Sequence, residues 1–234
     1  MSSIGLAQAS SFNALNNNAL NNSEIKVRRA SQGSEPEILG DIYLEETNMV
    51  IWQRELSETL KNSVDIFAKA NPTFQASMTV TPQTVLASIG QSLGDTAQQE
   101  LSENIAELVE MFCCLFELKR VGLRLTVLNR AMCPKFHVDR VPTRLITTFQ
   151  GIATEWLPHQ KVNREKLGLG SNGKPDSESG LYQNPHDIQQ LSCGEVALLK
   201  GELWEGNEKA GLVHRSPALP VGESRLLLTL DFSG

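Results

Sequence analysis

The sequence predicts an α+β fold, in which a helical N-terminal half packs on a C-terminal β-domain. Up to about residue 120, apolar residues recur at helical spacing. Beyond that point, short strand-like runs alternate with turns rich in Gly and Pro, which is typical of a β-sandwich or barrel. The chain has 234 residues, of which 40% are hydrophobic, so it is long enough to bury a core.

Three regions follow from this pattern. The first 38 residues are rich in Asn, Ser, Gln and Ala, with six Asn between Asn13 and Asn22. A segment of this composition buries little apolar surface, so we expect 1–38 to be a disordered tail. Residues 39–120 form the helical region. Residues 121–234 form the β-domain, which we expect to pack with the helices as one unit.

Three helices are expected in the helical region. Their expected spans are 47–70, 81–94 and 95–116. Asn71-Pro72 ends the first helix, because the residue before a proline is pushed out of the helical conformation. Thr81-Pro82 begins the second helix, since proline is favoured in a first turn.

The β-domain contains seven strand-like runs and a long polar insertion at 159–187. The expected strands are Val121–Leu128, Thr143–Phe149, Thr154–Leu157, Glu195–Lys200, Leu203–Trp204, Gly211–Val213 and Arg225–Phe232. In the last strand, alternation places Leu226, Leu228, Leu230 and Phe232 on the face opposite Arg225. We expect this leucine-rich face to belong to the core.

Composition and charge exclude several classes of protein. The net charge of −6 argues against a general nucleic-acid binder, because phosphate contacts need a basic surface. No stretch approaches the ~20 apolar residues that span a bilayer, and the N-terminus lacks the pattern of a secretory signal. Two of the four cysteines are adjacent, which suits a disulfide framework poorly. We therefore expect a cytoplasmic protein without nucleic-acid or membrane partners.

The motif that carries chemistry is His137-Val-Asp139. In an extended chain, residues i and i+2 point to the same side, about 6.5 Å apart. Imidazole and carboxylate then supply two ligands of a facial triad of two histidines and one carboxylate, which leaves open positions on Fe(II). His214, at the end of a later strand, is the candidate for the third ligand. Arg225 is the candidate for binding a keto-acid carboxylate, because a guanidinium binds carboxylates in bidentate fashion.

Other interpretations of these residues remain open. His137 and Asp139 also fit an ordinary hydrogen-bonded pair at a strand end. Cys133, four residues before His137, would complete a closed site with the three candidate ligands, and such a site favours Zn²⁺ over a catalytic iron. A small buried residue is the alternative interpretation of Cys133.

Three further residues are candidates for supporting roles. If the face of the strand that carries Arg144 lines the barrel, Arg144 is a buried cation that needs an anion; otherwise it lies at the surface. Glu155 is a candidate for a carboxylate that supports the metal ligands, and Trp156 for a pocket wall. An ordinary core Trp beside an edge Glu is the alternative.

The motifs of the β-domain resemble those of a known fold family. His137-x-Asp139, Gly194-Glu-Val-Ala-Leu-Leu, His214 and Arg225 together resemble the double-stranded β-helix of the 2-oxoglutarate/Fe(II) dioxygenases, in particular the prolyl-hydroxylase-like branch. The resemblance covers about residues 121–232. It implies a jelly-roll or cupin-like β-domain, with His137, Asp139 and His214 as iron ligands and Arg225 as the anchor of the 2-oxoglutarate carboxylate.

The stretch from Trp52 to Phe232 also resembles an uncharacterised bacterial domain-of-unknown-function family. The matching residues are Cys133-Pro-x-Phe-His-x-Asp139, Arg144-Leu, Gly151-x-x-Thr-Glu-Trp156, Gly201 and His214-Arg-Ser. This resemblance implies a link to zinc homeostasis and to metallochaperone-type GTPases as partners. It names no reaction.

Three functions are therefore expected, in order of preference. The first is an oxygenase-like protein that uses Fe(II) and 2-oxoglutarate on an unknown substrate. The second is a non-catalytic zinc-binding protein of metal homeostasis. The third is a metal-free interaction module, in which the His-x-Asp motif is incidental.

Overall fold

The computed structural model describes residues 27–94 and 98–233. Helices α1 to α4 span Glu58–Ala70, Val85–Leu93, Gln99–Leu115 and Asp176–Ser179. Strands β1 to β10 span Arg29–Gly33, Thr47–Trp52, Gln75–Val80, Val121–Leu128, Thr143–Gln150, Glu155–Leu157, Gln189–Gln190, Val196–Lys200, Val213–Arg215 and Arg225–Phe232. No helix in these two ranges is long and apolar enough to cross a bilayer.

Within the described residues, the strands form two sheets. The large sheet has the order β1-β2-β8-β5-β10-β4-β3, and the small sheet has the order β7-β6-β9. An isolated antiparallel bridge between His137 and His214 adds a fourth position to the small sheet, beside β9. All pairings are antiparallel except the one between β1 and β2.

From β4 onwards the chain crosses repeatedly between the two sheets. It runs from β4 to the bridge at His137, back to β5, across to β6 and β7, and then through β8, β9 and β10. This connectivity of eight strand positions in two facing sheets is that of a jelly roll. It confirms the predicted α+β fold with a double-stranded β-helix.

The helices cover the outer face of the large sheet. Alternate residues of its strands, such as Leu125, Leu145 and Leu228, join buried residues of α1, α2 and α3 in one apolar cluster. Leu226 and Leu230 belong to this cluster as well, which confirms the predicted core face of the last strand. Amphipathic helices thus supply the apolar surface that this face of the sheet needs.

The other two apolar clusters lie on either side of the small sheet. One includes Met49, Ile146 and Leu199 of the large sheet and lies between the sheets. The other covers the outside of the small sheet, where Leu157 and Val213 meet residues from the 159–187 insertion. The insertion is therefore not only a polar loop, because it forms a packed outer layer.

Several predicted elements differ from the structure. The helix predicted from Thr47 begins only at Glu58, and Thr47–Trp52 is a strand buried on both faces, which has no alternation to distinguish it from a helix. Part of the predicted tail, Arg29–Gly33, forms strand β1, and the rest of that prediction up to residue 26 lies outside the described residues. The predicted strand Leu203–Trp204 is a turn.

The core between helices and sheet offers a test of the fold. Leu228 is fully buried, and replacing it with Ala should lower the free energy of unfolding by about 2–5 kcal/mol, because a cavity is left. Leu169 is 98% exposed, so Leu169→Ala should change this free energy by no more than about 0.5 kcal/mol. Guanidinium denaturation of both variants measures the difference. Equal losses would contradict the packing described here.

Candidate metal centre

Two histidines meet where the small sheet is completed by the isolated bridge. The backbone N–H of His137 donates to the carbonyl of His214, and the N–H of His214 donates to the carbonyl of His137, both at 3.0 Å. Residues paired in this way direct their side chains to the same face of a sheet. The two imidazole rings accordingly lie with their centroids 4.5 Å apart.

Backbone carbonyls fix the orientation of both imidazoles. Nδ1 of His137 lies 3.0 Å from the carbonyl oxygen of Lys135, and Nδ1 of His214 lies 3.3 Å from that of Leu212. An imidazole that donates from Nδ1 to a carbonyl keeps the lone pair of Nε2 free for a metal. Burial lowers the pKa of His214 well below its ordinary value, which favours the neutral form that binds metals.

Asp139 lies between the two Nε2 atoms. Its Oδ1 is 3.8 Å from Nε2 of His137, and its Oδ2 is 3.5 Å from Nε2 of His214. One ligand atom from each of the three residues lies within 4.8 Å of the others. The structure therefore brings together the three predicted ligands, and two neutral imidazoles with one carboxylate are a donor set that fits Fe(II) or Zn²⁺.

Arg144 donates a hydrogen bond to the carboxylate of Asp139 and so fixes its orientation. Its Nη1 donates to Oδ2 of Asp139 at 2.8 Å, while Nε and Nη2 donate to the two oxygens of Asp231 at 2.7 and 3.1 Å. Burial alone would lower the pKa of Arg144, but the bond to Asp231 and the charge of Asp139 raise it above its ordinary value. Arg144 thus faces the barrel interior, and its anions are Asp139 and Asp231.

A second arginine fixes the strand segments on which the histidines lie. Nε of Arg215 donates to Glu155 at 2.6 Å, and Nη1 donates to Asp176 at 3.3 Å. The guanidinium lies 4.3 Å from the ring centroid of Phe136, whose backbone N–H donates to Asp176 at 2.8 Å. Arg215 and Phe136 each adjoin one of the two histidines in sequence, so this network restricts the relative motion of the two segments.

Glu155 belongs to this network, whereas Trp156 does not. Glu155 is paired with Arg215, not with a metal-ligand candidate, so it acts on the site through the neighbour of His214. Trp156 lies opposite His214 in the small sheet and packs against the apolar cluster between the sheets. It is not among the residues that line the cleft beside the histidines, so it does not form a wall of that cleft.

Arg225 is 1% exposed, yet it has no carboxylate partner in the described part of the chain. Its Nη2 donates to the hydroxyls of Thr148 and Thr154, at 3.3 and 3.2 Å. Its Nε and Nη1 are buried and have no hydrogen-bond partner there. Burial lowers the pKa of Arg225 to about 10, so the group is still a cation at neutral pH. A buried cation with two unused donors is costly, and a bound anion would relieve that cost.

A small cleft, with a cavity volume of about 70 Å³, lies beside the histidines. Thr154, which binds Arg225, lines it, so the unpaired guanidinium lies one side chain behind the cleft wall. Cys133 lines the cleft as well but is exposed, so its interpretation as a small buried residue is wrong. Among the described residues, the cluster that could hold a metal ion consists of the two histidines and Asp139, without Cys133.

Two glycines explain how closely the backbone packs around the site. A Cβ on Gly201 would overlap the carbonyl oxygen of Val141 and lie 2.8 Å from that of Asp139. Gly151 has φ +87°, and a Cβ there would lie 2.9 Å from Cα of Arg225. Side chains at these positions would displace the segments that carry Asp139 and Arg225.

Sequence reasoning missed Asp231, Asp176 and Thr148. Alternation places Asp231 on the same face of the last strand as Arg225, which was the available signal. The pairing of Asp231 with Arg144 can be derived only from the register of β5 and β10. Asp176 lies in the insertion, where no pattern marked it.

Together, the jelly roll and the His-Asp-His cluster define a candidate metalloprotein of double-stranded β-helix type. Residues 33–231 match the family described as "Protein of unknown function (DUF1826)", and the chain belongs to that family. No curated protein matches the sequence.

Solved structures with similar folds share little sequence with this chain. The auxin-oxidation dioxygenase of Arabidopsis thaliana, in complex with 2-oxoglutarate, is 9% identical with a TM-score of 0.47, over 89% of this chain and 93% of that one. A prolyl-4-hydroxylase of Pseudomonas putida is 10% identical, with a TM-score of 0.46, over 84% and 98%. A 2OG-Fe(II) oxygenase family oxidoreductase of Burkholderia pseudomallei is 10% identical, with a TM-score of 0.40, over 89% and 94%.

The close packing around Gly201 predicts a coupled loss of stability and metal binding. Gly201→Ala should lower the free energy of unfolding by about 1–3 kcal/mol, because the backbone at Asp139 must move away. The same variant should bind Mn(II) more weakly. Gly40→Ala is the control, since a Cβ there meets no atom within 4 Å. Urea denaturation and Mn(II) titration followed by electron paramagnetic resonance measure both effects. Equal behaviour of the two variants would contradict this account.

Proposed function

We propose that this protein is an oxygenase that depends on Fe(II) and 2-oxoglutarate. One observation carries the proposal: two histidines that cluster with Asp139 line a cleft, and behind the cleft wall lies a buried arginine without a carboxylate partner among the described residues. The two features complement each other chemically. The cluster offers a facial donor set with open positions, and the arginine offers a site for the carboxylate of a co-substrate.

In this proposal His137, Asp139 and His214 hold the metal through Nε2, a carboxylate oxygen and Nε2. Both imidazoles already have their Nδ1 atoms directed at backbone carbonyls, so little reorganisation is needed. The bond from Arg144 occupies Oδ2 of Asp139 and leaves Oδ1 for the metal. Because Arg144 is also held by Asp231, it keeps the carboxylate of Asp139 oriented.

Arg225 would bind the carboxylate of 2-oxoglutarate that lies farther from the metal. Its Nε and Nη1 are donors without a partner among the described residues, and a guanidinium donates strong, charge-assisted hydrogen bonds to a carboxylate. Thr148 and Thr154 hold Nη2 and so fix the orientation of the guanidinium. Bound together, the metal and 2-oxoglutarate would supply oxygen activation for the oxidation of a substrate C–H bond. The cleft provides the access for that substrate.

A non-catalytic zinc protein is the second candidate function. Cys133 supports it, because this residue lines the same cleft as the two histidines and a thiolate is a preferred ligand of Zn²⁺. A role in zinc homeostasis, with metallochaperone-type GTPases as partners, belongs to this candidate. For either function we propose a cytoplasmic location, since all four cysteines are free.

The role of Arg225 is tested by replacing it with Gln. We expect the affinity for 2-oxoglutarate in the presence of Fe(II), without oxygen, to fall about 10- to 100-fold, because charged hydrogen bonds are lost. Metal content should stay at the wild-type level. Stability should be unchanged or higher, because an unpaired buried charge is removed. The visible charge-transfer band formed by Fe(II) and 2-oxoglutarate measures the affinity, and denaturation measures the stability.

The outcomes of this experiment separate the three functions. Loss of metal from Arg225→Gln would mean that the assigned role of Arg225 is wrong. A wild-type protein that retains metal but gives no band with 2-oxoglutarate would support the zinc protein. A wild-type protein that binds neither metal nor 2-oxoglutarate would leave only the metal-free interaction module.

Cys133→Ala distinguishes the iron site from the zinc site. With three ligands and an open site, we expect the variant to keep at least half of the wild-type metal affinity. If Cys133 closes a zinc site, the affinity should fall about tenfold or more, because one of four bonds is lost. Cys114→Ala is the control, since Cys114 is exposed on α3, away from this cleft. Metal titration of both variants with Fe(II) and with Zn²⁺ gives the answer.

A further inference from the structure

The arginines that line the cleft differ in how their charges are compensated. Arg144 is paired with Asp139 and Asp231, while Arg215 is paired with Glu155 and Asp176. Arg124 also lines the cleft and is exposed. Its side chain forms no hydrogen bond or ion pair with any residue in the ranges 27–94 and 98–233. This guanidinium is thus the uncompensated charge on the cleft wall.

Arg124 lies where the cleft beside the histidines meets a second opening. It lies on β4, opposite Thr229 of β10 on one side and Ser77 of the edge strand β3 on the other. A shallow cleft lined by Ser77, Thr79 and Asp231 begins at Arg124, which therefore lines both clefts. A molecule that reaches the metal from this side passes the guanidinium.

The electrostatics of the cleft favour an anion at this position. A divalent metal and Arg124 would be like charges that face the same solvent-filled space, and none of the described residues that line it is an Asp or Glu. Asp231, which lines the second cleft, is already paired with Arg144. In the proposed function, 2-oxoglutarate is bound by the metal and Arg225, so it leaves Arg124 uncompensated. Positive charge in a concave site concentrates anions there, even in a protein with a net charge of −6.

Hydroxyl groups around Arg124 would add hydrogen bonds to the same anion. The hydroxyls of Ser77 and Thr229 lie on the strands on either side. Thr126 lies two residues further along β4, on the same face, and its buried hydroxyl has no partner among the described residues. Unsatisfied hydroxyls beside a free guanidinium are typical of sites that bind oxyanions.

We propose that Arg124 binds an oxyanion of the substrate, so that the substrate is a phosphate- or carboxylate-bearing molecule that enters along β3 and β4. This inference rests on the proposed function, because it makes Arg124 a specificity determinant of the same site. Arg124 lies outside the metal ligands and the 2-oxoglutarate anchor.

The test uses the full chain loaded with Mn(II) and saturated with 2-oxoglutarate, without oxygen. Inorganic phosphate, acetate and tetramethylammonium are the three probes, and paramagnetic relaxation of their nuclei reports binding close to the metal. We expect phosphate or acetate to bind and tetramethylammonium not to bind. The oxyanion that binds more tightly identifies the phosphate or the carboxylate class. Arg124→Gln should weaken oxyanion binding about tenfold, which corresponds to one charged hydrogen bond.

Arg130→Gln is the matched control, because Arg130 is exposed but lines neither cleft. It should leave oxyanion binding unchanged, and both variants should keep the wild-type affinities for Mn(II) and 2-oxoglutarate. Equal oxyanion affinity of wild type and Arg124→Gln would overturn the proposal. So would a loss of 2-oxoglutarate affinity in Arg124→Gln, or oxyanion binding without paramagnetic relaxation.

Failure of the proposed function gives a different pattern. If the wild-type protein binds no Mn(II), the metal-dependent oxygenase is excluded. In that case the broadening of the phosphate ³¹P signal by the metal-free protein tests by itself whether Arg124 binds an anion. Broadening that disappears in Arg124→Gln, but not in Arg130→Gln, supports it, and broadening that is the same in all three proteins overturns it.

Discussion

Two backbone hydrogen bonds between His137 and His214 determine the geometry of the site. These residues are 77 positions apart in the chain and lie in segments with little regular structure of their own. Their mutual pairing completes the small sheet of the jelly roll and places both imidazoles on one face. Asp139 then follows from strand alternation, because it comes two residues after His137. A fault in this pairing would separate the ligands even if every other strand were in place.

Charge pairing separates the structural arginines of the site from those proposed to bind ligands. Arg144 and Arg215 each have two carboxylate partners, and each fixes a segment that carries a candidate metal ligand. Arg225 is buried as well, but within the described ranges its guanidinium donates hydrogen bonds only to hydroxyls, and two of its donors are unused. An unpaired buried cation reduces stability, so its presence is more readily explained by binding than by folding.

The sequence predicted those parts of the fold and site that depend on local patterns. The bounds of the first and last jelly-roll strands, Val121–Leu128 and Arg225–Phe232, are confirmed, because their alternation is strong and turns bound them. The His-x-Asp spacing predicted that its two side chains converge. Strand Thr47–Trp52 was mistaken for helix, since a strand covered on both faces has no alternating pattern. The pairing of Arg144 with Asp231 depends on register between distant strands, which local patterns do not encode.

The packed insertion at 159–187 has a consequence for how this family can vary. Surface loops usually tolerate changes in length, because few contacts depend on them. Here the loop carries Asp176, which contacts both Arg215 and the backbone beside His137, and its apolar residues cover the small sheet. Shortening the loop would remove the contacts of Asp176 that hold the two histidine segments in place, although the loop contributes no candidate ligand. Homologues in which this segment is truncated should therefore have other contacts that fix these segments, or should have lost the metal.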